Sequence, residues 1–119
     1  MVNYRLTHLA QADISGILLR SHETFGQAAE VRYAALITAA IRDAAERSTG
    51  SGFASHPELG DDVVTWHLAQ SRGRARGGNV RRPRHFLVCR READILVIGR
   101  VLHDAMDLQL HVTAEMDWS

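Results

Sequence analysis

The sequence predicts an α+β domain in which an N-terminal strand and a helical hairpin pack on a small, mostly antiparallel sheet. Three observations lead there. The opening residues alternate apolar and polar with period two. Two consecutive blocks then carry apolar residues at helical spacing, and after a loop rich in Gly, Ser and Pro come three short apolar runs with tight connections. At 119 residues and 45% hydrophobic, the chain has enough apolar content for one core and too little length for two ordinary domains. The predicted organisation is a single domain over residues 1–112 followed by a frayed tail over 113–119.

Taken in order, Val2, Tyr4 and Leu6 alternate with Asn3, Arg5 and Thr7, which predicts a half-buried strand. From Leu9 to Glu23, Ala10, Ile14, Ile17 and Leu18 form the stripe of an amphipathic helix with Thr7 as its cap, weakened slightly by Gly16. Thr24, followed three residues on by Gln27, fits a capping box for a second helix reaching Ser48, with Tyr33, Ile37, Ala40, Ile41 and Ala44 on one face. So few residues separate the two that they must fold back as a hairpin. Thr49 to Asp62 reads as a loop. Val64, Trp66 and Leu68 mark the next strand, with the aromatic turned toward the helices. The stretch QSRGRARGGNVRRPR reads as a solvated loop, Arg84 to Arg90 as a strand, and Asp94 to Leu102 as the most apolar strand, expected at the sheet centre. A turn or short helix from His103 closes the domain. One sheet face is expected to stay free.

No run approaches the roughly 20 apolar residues of a membrane span, and the opening VNYRLTH lacks the apolar segment of a secretory signal, so a cytoplasmic protein is expected. Cys89 is the only cysteine, which excludes an internal disulfide and a cysteine-built zinc site; within the run Phe86 to Cys89 it reads as a small buried hydrophobe.

Charge is distributed unevenly. The chain has 14 cations, all Arg, and 14 acids, for a net charge of zero. Residues 63–91 nevertheless hold eight Arg and no acid, against net −3 before them (five Arg, eight acids) and net −5 after them (one Arg, six acids). The block containing Arg72, Arg74, Arg76, Arg81, Arg82 and Arg84 has two readings. It is either a solubilising loop without a partner or, with its glycines letting the chain mould itself, a surface whose guanidinium forks grip carboxylates or phosphates.

Other constellations are weaker. His103, Asp107 and His111 recur at i, i+4 and i+8 and would share a helix face able to hold a divalent metal, but such spacing is weak evidence and structural polar contacts are preferred; no metal or other cofactor is expected. For ribonuclease chemistry, Arg84 or Arg100 would neutralise a phosphate while His85 or His111 moves a proton. Trp66 and Phe86 suit base stacking on an open sheet, although core packing accounts for them more simply.

The run RHFLVCRREADILVIGRVLHDAMDL, together with YRLTHLAQADI and the helical hairpin, resembles the RelE/ParE toxin family of bacterial toxin–antitoxin pairs. The likeness spans Tyr4 to Ile14, Phe25 to Ala45 and Arg84 to Leu108. Its most specific piece, RVLHDAMDL over Arg100 to Leu108, is similar to the ParE branch; the Arg-rich segment after Trp66 is longer than in the plainest members. The resemblance implies a growth-arresting toxin held by a cognate antitoxin in a hetero-oligomer, with the hairpin (Ile17, Leu18, Ile37, Ile41) and the sheet as the surfaces the antitoxin wraps; the Arg block is a partner contact on its charge alone. The ParE branch poisons DNA gyrase without evident nuclease chemistry. The RelE branch cuts messenger RNA on the ribosome with basic side chains and a C-terminal Tyr or His, a role that would fall here to Arg84, Arg100 and His111. Both tyrosines, Tyr4 and Tyr33, lie in the first third of the chain, which leaves that constellation incomplete and favours the gyrase-directed reading. A plain nucleic-acid-binding module is the third expectation.

Overall fold

The computed structural model describes residues 3–47, 51–60, 62–74, 80–113 and 115–119. The order is β1 (Asn3–Leu6), α1 (His8–Phe25), α2 (Gln27–Glu46), β2 (Ala54–Ser55), β3 (Val63–His67), β4 (His85–Glu92), β5 (Ile95–His103) and α3 (Leu108–His111). It is an α+β domain whose sheet runs β1-β5-β4-β3-β2, antiparallel except for the parallel β1–β5 pair. The predicted class holds, with one strand more than expected. The pair Ala54–Ser55, inside the supposed loop, bonds to Val64 and Thr65 and closes the β3 edge. Two residues are too few to show a periodicity. β5, expected at the centre, is interior between β1 and β4, but β4 is the middle strand.

Thr7 caps α1 as predicted. Its hydroxyl accepts from the Ala10 N–H at 3.0 Å and donates to the Gly99 carbonyl at 2.8 Å, so one buried side chain both starts the helix and ties it to β5. The capping box at Thr24 does not form. α1 runs through Thr24 to Phe25, and a single residue, Gly26, joins the helices at φ 91° with its N–H bonded to the His22 carbonyl. A one-residue link requires that left-handed φ, which glycine adopts without steric cost, so hairpin geometry overrides the local capping signal.

The core lies between the hairpin and one sheet face. Ala10 and Ile17 of α1 and Leu36, Ile37, Ala40, Ile41 and Ala44 of α2 meet Val64, Trp66, Leu87, Cys89, Leu96, Ile98 and Val101. Alternation on β4 sends Leu87 and Cys89 to the helices and Phe86 and Val88 to the opposite face.

That opposite face is covered, contrary to the expectation of a free face and a frayed tail. Val63, Val88, Leu102 and Val112 are buried there beneath Leu59, Phe86, Leu108, Met116 and Trp118. The Arg5 guanidinium donates to the Trp118 carbonyl at 2.9 Å, the His8 N–H to the Ser119 carbonyl at 3.1 Å, and the Arg90 guanidinium lies 4.7 Å from the Trp118 ring centre. Gly99 makes room for this. It is the extra residue of a bulge in β5, where Cys89 faces Ile98 and Val88 faces Arg100, and a Cβ at Gly99 would collide with the Trp118 ring and with Met116. An aromatic so close to the chain's last position gives no periodic signal, and the glycine that receives it is remote in sequence. No helix among the described residues is long and apolar enough to cross a membrane.

Candidate functional site

The arginine block divides into anchored and exposed members. The segment does not leave the domain at once: Leu68–Arg74 is a 3-10 stretch pinned by buried Leu68 and by Ser71, whose hydroxyl accepts from the Trp66 indole at 3.1 Å. Arg74 pairs with Asp43 of α2 at 3.1 Å, and Arg84 pairs with Asp104 at 3.2 Å. Arg72, Arg81 and Arg82 are exposed and have no acidic partner among the described residues; Arg72 donates to the Arg81 carbonyl at 2.9 Å, which holds two of these cations together. Arg76 lies outside the described residues. The reading of one uniformly solvated loop is therefore corrected: the protein's own carboxylates take two of the five described arginines.

Arg100 is not a free phosphate ligand. Its fork meets both oxygens of Asp13, at 2.7 and 3.0 Å, with the pair half-buried, and Asp13 also accepts the Val101 N–H at 2.9 Å. The reason lies in the sheet. β1 stops pairing at Ile98, so the β5 edge beyond it needs another acceptor, and the carboxylate on α1 provides it. The bond to Asp13 raises the Arg100 pKa further. The Arg84, Arg100 and His111 set is thus split between two carboxylates: His111 offers only its carbonyl to Arg100, at 3.4 Å. The metal face is also absent. His103 ends β5, α3 is a single turn over Leu108–His111, and the described residues contain no group of three potential metal ligands.

Ile17, Ile37 and Ile41, assigned to partner contact, are buried in the core, with Leu18 packed against it. They are spent inside the domain. The large apolar side chains that the hairpin does expose include Leu19, Phe25 and Val31, at 58%, 75% and 57%. Trp66 is a core residue and Phe86 packs on the tail side, so neither forms an open stacking platform.

The sheet does gather titratable groups at the end where β3 stops and β4 starts. Tyr33 accepts the Arg84 backbone N–H at 3.2 Å and sits 2.6 Å from His85 Nδ1; with its oxygen already accepting from Arg84, the hydroxyl hydrogen is the one left to bridge to the ring. His67 Nε2 donates to Asp104 at 3.2 Å, while its Nδ1 accepts from Ala69 at 3.0 Å. His103 Nδ1 accepts from Ala105 at 3.0 Å, so its 3.6 Å approach to Asp104 is no hydrogen bond. The His85 and His103 rings meet edge to face at 5.2 Å. In each histidine Nδ1 is an acceptor, which leaves Nε2 as the N–H of a neutral ring.

Burial, then repulsion from His103 whenever that ring is protonated and from the Arg20 cation, push His85 down to about 4 against the pull of Asp104, so it is neutral at physiological pH. Burial is also the main cause that raises Tyr33. At Asp104 slight burial acts upward, but hydrogen bonds from His67 and Arg84 outweigh it and hold the carboxyl below its usual value.

Between α1 and the ends of β4 and β5 lies a cleft of about 200 Å³, lined by Gly16, Ile17, Arg20, His85, Arg100 and His103 among others. Of these, the sequence reading weighed His85, Arg100 and His103 for chemistry but did not bring them together, and it passed over Tyr33 and Arg20. Their convergence depends on strand register, His85 opposite His103, and on α1 lying alongside the ends of β4 and β5. No protein-family model matches the chain, and no characterised protein aligns with it closely enough to count as a relative.

Proposed function

We propose that this protein is a toxin of a type II toxin–antitoxin pair that acts by binding, in the manner of the ParE branch, on DNA gyrase, and that a cognate antitoxin neutralises it. The observation that carries this reading is the contrast between the arginines. Arg84 and Arg100, which a phosphate-cleaving site needs free, are engaged by Asp104 and Asp13, whereas Arg72, Arg81 and Arg82 stand exposed without an acidic partner among the described residues. Exposed guanidinium groups on one stretch of chain suit an acidic protein surface, and the contact would weaken with salt. The β1, hairpin and sheet order agrees with the resemblance carried by YRLTHLAQADI and RVLHDAMDL. For the antitoxin, exposed Leu19, Phe25 and Val31 on the hairpin replace the buried isoleucines as the apolar contact.

The test is inhibition of gyrase supercoiling by the purified chain, with accumulation of cleaved DNA complexes. Joint replacement of Arg72, Arg81 and Arg82 by Gln is expected to abolish inhibition while leaving the thermal midpoint unchanged. Full gyrase activity at saturating toxin would remove the proposal. A second reading, a ribosome-dependent endoribonuclease of the RelE kind, is favoured by one observation, the Tyr33, His85 and His103 cluster. It predicts cleaved messages with an intact chromosome after induced expression, where the gyrase reading predicts DNA breaks and an SOS response.

A further inference from the structure

We propose that the cleft between α1 and the ends of β4 and β5 is a binding site for a phosphoryl group, held by the Arg20 guanidinium and the Nε2–H groups of His85 and His103. The site is defined by donors without acceptors. The Ala105 N–H occupies Nδ1 of His103, and the Tyr33 hydroxyl, whose oxygen accepts from Arg84, faces Nδ1 of His85, an arrangement that favours the hydrogen of each ring on Nε2, and neither Nε2 has a partner among the described residues. His67, the third imidazole of this end, differs because its Nε2–H is given to Asp104.

Arg20, on the opposite wall, is exposed and makes no ion pair or hydrogen bond among the described residues. Both carboxylates that could compete are engaged elsewhere: Asp13, which lines the cleft, by Arg100 and the Val101 N–H, and Asp104 by His67 and Arg84. The cleft therefore offers one net positive charge and at least three N–H donors from three directions.

That arrangement selects the ligand. A tetrahedral oxyanion has enough separately directed oxygens to meet donors from two strands and a helix, whereas a planar carboxylate presents two in one plane. Gly16, with no side chain, keeps the α1 wall low. At about 200 Å³ the cleft falls below the ~300 Å³ at which pockets enclose drug-sized ligands, so it takes the phosphoryl group and leaves whatever carries it outside. The inference does not rest on the gyrase reading and stands or falls separately from it.

The experiment follows the imidazole nitrogens of the full chain by long-range proton–nitrogen NMR at fixed ionic strength, during titration with inorganic phosphate, adenosine 5′-monophosphate and acetate. Phosphate is expected to shift His85 and His103 Nε2 in a saturable way, with a Kd on the order of 1 mM, and to leave His67 and His22 unmoved. Acetate is expected to produce no saturable shift. Equal affinity for phosphate and the nucleotide would confine recognition to the phosphoryl group; tighter nucleotide binding would identify a carried phosphate as the ligand, and either supports the site. Arg20→Gln, at an exposed position, should weaken phosphate at least about tenfold, and His103→Gln should do the same with Arg20 intact. Non-saturating shifts, equal shifts at all histidines, or unchanged affinity in both variants would overturn the proposal.

Discussion

Replacing Gly99 with alanine tests whether the C-terminal segment is held by the sheet or merely lies near it. A Cβ at this position would stand 2.7 Å from both Met116 Cε and Trp118 Cε3 and closer still to Trp118 Cζ3. Real Cβ atoms do not approach so closely, and the β5 backbone is fixed by β4, so the tail must move. A fully enclosed Trp buries about 150–250 Å², and half-buried Trp118 roughly 100 Å², or about 2.5 kcal/mol at ~25 cal/mol per Å². The lost Arg90 contact adds about 0.5–1 kcal/mol. Released chain entropy returns part of this, so the net destabilisation should be about 1–2 kcal/mol, a fall in Tm of roughly 3–8 °C for a domain this size. The assay is tryptophan emission and acrylamide quenching, with a Trp118→Phe partner for each protein so that the difference isolates Trp118 from enclosed Trp66. In the native background Trp118 should emit as a partly shielded indole; in the Gly99→Ala background it should shift to the red and quench like a free side chain. Identical Trp118 emission and quenching in both backgrounds would refute the reasoning, whatever happens to Tm.

Other outcomes follow from the same contacts. Asp13→Ala strands the half-buried Arg100 and the Val101 N–H and should cost about 2–4 kcal/mol in chemical denaturation, whereas Asp13→Asn keeps an acceptor for the N–H and should cost visibly less. His85 is neutral when folded down to about 4 but takes up a proton near 6.5 when unfolded, so between those pH values the unfolded state binds more protons. Stability should therefore fall as pH drops from about 6.5 to about 4, and His85→Gln should flatten that part of the profile. Burial pushes the Cys89 thiol up to about 12, so a thiol reagent should label the native chain only at the rate of unfolding, and labelling within the mixing time would contradict its enclosure.

Elements whose signal is local were legible in the chain before any folding. Period-two alternation located the opening strand, although Tyr4 on its apolar side stays exposed and burial does not alternate along it; helical spacing specified α1 and α2, and Thr7 was identifiable as a cap because the residue type and its position before an apolar stripe suffice. The α+β class followed from their order. Solvent-facing Arg72, Arg81 and Arg82 were legible as charge without acid.

Whatever depends on partners distant in the chain was fixed by the fold instead. Arg100 pairs with a carboxylate 87 residues away, and Tyr33 directs the tautomer of an imidazole 52 residues away. The isoleucines that suggested a docking face became core because the sheet covers that face first, and the tail stays down because Gly99 leaves room for Trp118. Spacing along a chain encodes which residues share a face. Which faces meet, and which donors are left without acceptors, is settled only when register and helix tilt bring separate segments together.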